Sequence, residues 1–162
     1  MDFLLKSDIE TSIDRTRKLI ESRILWQKEA LIFKQSVLIK ILINLKDLLI
    51  KCEKYLDKRI CFTDDVIKDE VLKINDITDL ISNFRDAACH NDSFRRKIGS
   101  NVSSFNVFVG KFSFQINDTL LSSNYSDDIA FNMGRNILFL KRHIERAFRE
   151  IEEHFNSHTS SQ

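Results

Sequence analysis

The sequence predicts a mainly α protein, a bundle of long helices with a small β-hairpin insertion before the last one. Three observations carry that expectation. The 162 residues include no proline and only three glycines, Gly99, Gly110 and Gly134, whereas β-rich folds spend both freely on turns. Apolar residues recur at steps of three and four over long stretches, the spacing of one helical face. Between about residues 102 and 138 that step falls to two, with glycine where the chain would reverse.

The elements follow in order. Ser7-Asp-Ile-Glu10 has capping-box spacing and marks the first helix, with Ile9, Ile13, Ile20 and Ile24 on one face. A turn is expected near Ser22–Gln27. A second helix runs from about Gln27 to Leu56, where Leu38, Leu42, Leu45, Leu49, Cys52 and Leu56 alternate steps of four and three. Ile41, Leu48 and Tyr55 widen this stripe, and Ile39, Ile43 and Ile50 extend it round most of the circumference, which argues for a central helix. Residues 61 to 80 are locally acidic, with Thr63 and Asn75 as N-caps of a short helix and of a longer one. The longer helix, from Asn75 to Cys89, carries Ile77, Leu80, Ile81, Phe84 and Ala88 on one face. Phe105, Val107 and Val109, then Phe112, Phe114 and Ile116, alternate on either side of Gly110-Lys111 and predict a β-hairpin. A second, weaker hairpin turns at Gly134. The last helix presents Leu140, Ile144, Phe148, Ile151 and Phe155, and a frayed tail occupies about 157–162.

At this length one hydrophobic core is the economical solution, so a single domain over residues 1–162 is expected. Lys and Arg number 25 against 24 acids, a formal charge of +1, so any polyanion site must come from a local cluster. Three cysteines at 52, 61 and 89 form neither a disulfide framework nor a paired zinc motif and read as reduced thiols. The N-terminus lacks a signal-peptide pattern. The most apolar stretch, 31–50, is broken by Lys34, Lys40, Lys46 and Asp47, which a bilayer-spanning helix would not tolerate. The expected location is the cytoplasm, with no membrane partner.

Chemistry concentrates in residues 83–97. Arg85 and His90 lie five apart at the end of an amphipathic helix, with Asp86 directly after the arginine. On an unbroken helix that spacing puts two side chains roughly 140° apart. They converge only where the helix ends near Cys89, or against the same residues of a second copy. An imidazole that exchanges protons and a guanidinium that neutralises phosphoryl oxygens are what metal-free RNA cleavage requires. The simpler reading pairs Arg85 with a neighbouring acid and leaves His90 to cap the helix C-terminus.

On Arg85-Asp86-Ala-Ala-Cys-His90, an Arg-x-x-x-x-His motif late in the third long helix of a proline-free protein, the chain resembles the HEPN superfamily, the "higher eukaryotes and prokaryotes nucleotide-binding" domains. Asp127-Asp128-Ile-Ala-Phe followed by Leu140-Lys-Arg-His143 is similar to a plasmid-borne prokaryotic branch of it. The resemblance implies an up-and-down bundle of four to five helices and metal-independent endoribonuclease activity giving 2′,3′-cyclic phosphate ends. It further implies a homodimer whose two motifs share one cleft, in a toxin–antitoxin or antiviral defence setting with a cognate antitoxin or inhibitor. Carried over, His90 is the general acid or base, Arg85 binds the scissile phosphate, and Asp86 orients one of them or closes the dimer. Asp92 stands where related toxins often carry a modifiable tyrosine, which puts regulation by that route in doubt.

Two basic clusters suit RNA phosphates: Arg95, Arg96 and Lys97 directly after the motif, and Arg142, Arg146 and Arg149 at steps of four and three. Solvation of an outer helix face is the bland alternative for both. His154 and His158, four apart, lack a third metal ligand, and adjacent Cys89 and His90 diverge on a helix. No metal and no cofactor is expected. The competing function is a non-catalytic interaction or nucleotide-binding module of the same fold.

Overall fold

A computed structural model describes residues 2–63, 69–90, 92–116 and 119–159. The chain forms two compact units, one of residues 1–59 and 148–162, the other of residues 60–147.

In the first unit, α1 (Phe3–Glu21) begins earlier than the Ser7 capping box. Asp2 is the N-cap, its Oδ1 accepting from the Leu5 N–H at 2.9 Å, so Ser7 and Glu10 lie within the helix. Ile9 and Ile13 are buried and Ile20 is half-buried. The turn falls where expected: Arg23 adopts a left-handed φ of 58° and Ile24–Trp26 make one 3-10 turn with Leu25 inside. The second helix, α2, begins at Leu31 rather than Gln27 and ends at Leu56. Leu38, Ile41, Leu42, Leu45, Leu48, Leu49 and Cys52 are all 1% exposed or less. Burial pushes the Cys52 thiol up to about 11, against a smaller pull from Lys58. Ile43 and Ile50 face outward, so the apolar wrap is narrower than its sequence suggests. Lys34 is carried inside at 2% exposed, and burial lowers its pKa, with Glu29 opposing. Arg17 on α1 is ion-paired with Glu152, which lies on α4 (Arg146–Thr159). No helix among the described residues is long and apolar enough to cross a membrane.

The second unit overturns the expected mainly α bundle with a small β-hairpin insertion. Among the described residues it holds three small antiparallel sheets, and the structure is 57% helical with about 20% strand, a mixed α/β architecture. The short helix expected after Thr63 falls partly on 64–68, outside the described residues. Its described remainder, 69–74, is a tight loop closed by the Asp69 and Ile74 backbones, with the Ile74 N–H donating to the Asp69 oxygen at 2.9 Å. The third helix, α3, spans Ile77–Cys89.

The strands are β1 (Lys97–Ile98), β2 (Asn101–Val102), β3 (Asn106–Val109), β4 (Phe112–Ile116), β5 (Thr119–Ser123), β6 (Ile129–Met133) and β7 (Asn136–Phe139). The first expected hairpin does not form. β3 pairs with β6, Val109 opposite Ile129, while β4 pairs with β5, Phe112 opposite Ser123. Gly110 at φ 77° redirects the chain, and its N–H donates to the Asp128 carbonyl at 2.9 Å. Alternation fixes which face a residue takes but carries no information on the partner strand. Phe108 instead packs against Phe112 and Phe114, with centroids 4.3 and 4.8 Å apart. The second expected hairpin, β6–β7 around Gly134, does form, with Met133 opposite Asn136. Every residue of β6 and β7 is buried. A π-helical turn, Leu140–Glu145, then leads into α4.

Candidate nucleic-acid interface

The corner where α3 ends is built from local signals. Asp76 caps the helix, rather than Asn75: its Oδ1 accepts from the Asp79 N–H at 2.8 Å, and Asp79 accepts in return from the Asn75 N–H at 3.1 Å. Ile77, Leu80, Ile81, Phe84 and Ala87 are buried, so Ala87 takes the place assigned to Ala88. The helix stops at Cys89, and His90 leaves it with extended backbone (φ −123°, ψ 106°) while its N–H still donates to the Asp86 carbonyl.

Arg85 is half-buried. Its Nη1 donates to the Asp86 carboxylate at 3.0 Å, and its Nε is buried with no hydrogen-bond partner among the described residues. The arginine is therefore held by the next residue, as the simpler sequence reading had it. Among the described residues no hydrogen bond joins Arg85 to His90. The exposed His90 instead lines an open groove of about 590 Å³ with Cys89, Asp92, Ser93, Phe94 and Arg95. Arg95, which the motif does not include, is the cation that shares a groove with the histidine.

Arg95 is preset. Its Nε donates to the Asn83 side chain at 2.7 Å, its guanidinium carbon lies 4.7 Å from the centre of the exposed Phe94 ring, and Ser93 Oγ accepts from its backbone N–H. Behind it sits the β6–β7 turn. A Cβ at Gly134 would meet the Arg95 carbonyl oxygen at 2.0 Å, so this segment is seated where only glycine fits. Arg96 is half-buried and reaches the Ser103 carbonyl at 3.5 Å, while Lys97 is exposed at the start of β1. The sequence assigns Phe94 and Asn83 no role of their own, and marks Gly134 only as a turn residue.

The second basic cluster divides. Arg142 donates to Asp128 at 2.9 Å and to Asp127 at 3.1 Å, and its guanidinium carbon lies 3.6 Å from the Tyr125 ring centre. Burial opposes its charge most, yet the bonds to Asp128 and Asp127 prevail and its pKa is raised. Asp127 is correspondingly lowered, first by its hydrogen bond from Lys141 and then, with burial opposing, by Arg142. Asp128, 1% exposed, also accepts from the Ile129, Lys141 and Arg142 N–H groups, so it caps the π-helical turn. His143 is fully buried and its Nδ1 accepts from the Phe139 N–H at 3.0 Å. Arg146 donates to the Arg142 and Cys61 carbonyls. Arg142 and Arg146 thus hold local structure, whereas Arg149 is exposed on α4.

His154 and His158 line another groove with Tyr55 and Lys58. Among the described residues no group of three or more His, Cys, Asp or Glu is placed to hold a metal ion. Comparison of the chain with protein-family models, curated proteins and solved structures gave no match.

Proposed function

We propose that this protein is an RNA-directed, metal-independent endoribonuclease whose chemistry sits at the α3 corner, serving as a toxin or defence effector. The observation that carries the reading is the groove shared by His90, a proton-transfer group, and Arg95, a phosphate-binding one, which the exposed Phe94 ring also lines. In the reaction a base removes the 2′-hydroxyl proton, the 2′-oxygen bonds to phosphorus, the bond from phosphorus to the 5′-oxygen breaks, and that oxygen takes up a proton. The products are a 2′,3′-cyclic phosphate and a 5′-hydroxyl. His90 moves protons, as imidazole does near neutral pH. Arg95, already oriented by Asn83, offsets the charge that grows on the phosphoryl oxygens.

Arg85, tied to Asp86, is assigned to the scissile phosphate only in an assembly where a second copy draws it into the cleft. The homodimer and the composite site belong to this proposal, as do a cognate antitoxin or inhibitor and a cytoplasmic location. A non-catalytic RNA-binding or nucleotide-binding module is the second reading, favoured by the Arg85–Asp86 pair itself.

Incubating the purified protein with RNA in EDTA tests the first reading. Cleavage to cyclic-phosphate ends is expected, falling at least about a hundredfold in His90→Ala, the scale of one general acid–base group, and comparably in Arg95→Ala. Intact RNA with a well-folded wild type, or variants that cut as well, rules out the nuclease. Mixing Arg85→Ala with His90→Ala subunits restores part of the activity only where the two motifs combine across a dimer.

A further inference from the structure

We infer that the hollow between the β2–β3 connection and β4 is a nucleobase-binding subsite, anchored at its rim by Arg96 and Lys97. The inference deepens the RNA reading of the α3 corner and rests on it for the source of the phosphate. The hollow encloses about 380 Å³ and is lined by Asn101, Ser103, Asn106, Phe108, Phe114 and Ile116, among others, a volume within the range of small-ligand sites. Its wall is aromatic: the half-buried Phe108 and Phe114 rings both line it, stacked on each other with centroids 4.8 Å apart and 27° from parallel, so a base would stack on an outer face of that pair.

Its rim is amide and hydroxyl. Asn101 is exposed, and Asn106 donates through Nδ2 to the Ser104 carbonyl at 3.0 Å and to Asn132 Oδ1 at 3.4 Å. That leaves the Asn106 Oδ1 accepting no hydrogen bond among the described residues. Carboxamides read base edges because they offer a donor and an acceptor side by side. No charged side chain among the described residues lines the hollow, so the group that enters it is uncharged. Charge stands just outside. Arg96 exchanges backbone and side-chain hydrogen bonds with Ser103, the Ser103 N–H donating to the Arg96 carbonyl at 2.8 Å, and Lys97 is exposed beside it. A neutral aromatic slot with cations at its mouth fits a base attached to a phosphate, whether in a free nucleotide or in an RNA chain. Arg95 would then serve the His90 groove and Arg96 this one, from successive positions of a single segment.

The test uses the His90→Ala protein, in which RNA survives, with two probes: ribonucleoside monophosphates and a short fluorescein-labelled oligoribonucleotide. NMR shifts at Ser103, Phe114 and Ile116 are expected with at least one of them. Shifts with the monophosphates identify a free nucleotide as a sufficient ligand, and shifts with the oligonucleotide alone identify the RNA chain. Asn101→Asp, at an exposed position, should leave melting unchanged and weaken the binding seen by about tenfold, the effect of one misplaced charge near a phosphate. Silence at these residues with both probes, or undiminished binding by Asn101→Asp, overturns the subsite. RNA bound here but never cut by the wild type removes the nuclease reading and spares the subsite. RNA cut without shifts here does the reverse.

Discussion

At position 134 the backbone runs at φ 78°, and an added methyl group would lie 2.0 Å from the Arg95 carbonyl oxygen and 3.1 Å from its carbon. Neither obstacle can yield cheaply, because both atoms are main chain. Gly134→Ala is expected to cost more than about 2 kcal/mol in urea unfolding and to loosen the Arg95–Lys97 segment, lowering RNA affinity measured by anisotropy. Gly110→Ala is the control: its nearest neighbour would be 3.4 Å away, so only the left-handed penalty of about 1–2 kcal/mol remains. Equal losses in the two variants would show that the contact to Arg95 does not matter. At this scale the Arg85–Asp86 pair was legible, since sequence neighbours need no fold to meet. Arg95 beside His90 was not, because that proximity depends on how the chain turns after Cys89.

Asp128 decides how the last helix begins. Its carboxylate satisfies N–H groups of Ile129, Lys141 and Arg142 as well as the Arg142 guanidinium, from a position 1% exposed to solvent. Removing it leaves orphaned donors and a half-buried cation. Asp128→Ala is therefore expected to destabilise by roughly 3 kcal/mol, and Asp128→Asn by less because an amide oxygen can still accept. Thermal melting checks both, and a loss below about 1 kcal/mol for the alanine variant contradicts the capping role. Helix periods were readable along the chain, and the core positions of α2, α3 and α4 follow them closely. The exceptions have physical causes. Asp2 pre-empted the Ser7 box by capping five residues earlier, and β3 found β6 beyond the intervening hairpin, because the nearest strand, β4, took β5.

Taken whole, the molecule is nearly neutral, with a formal charge of +1, so the proposed RNA binding would have to draw on a few local cations. If Arg95, Arg96 and Lys97 are the main phosphate contacts, log affinity for single-stranded RNA should fall against log salt with a slope of about −2. A slope beyond about −5, measured by anisotropy over a salt series, would require a far wider basic surface. Composition and periodicity alone established the long helices and the change to a strand period late in the chain. Each of these is a property of a residue and its near neighbours, written into one-dimensional order. The mixed α/β architecture, the pairing of the strands and the choice of Arg95 over Arg85 as the companion of His90 arose only on folding. They depend on contacts between residues remote in sequence, which no local spacing encodes.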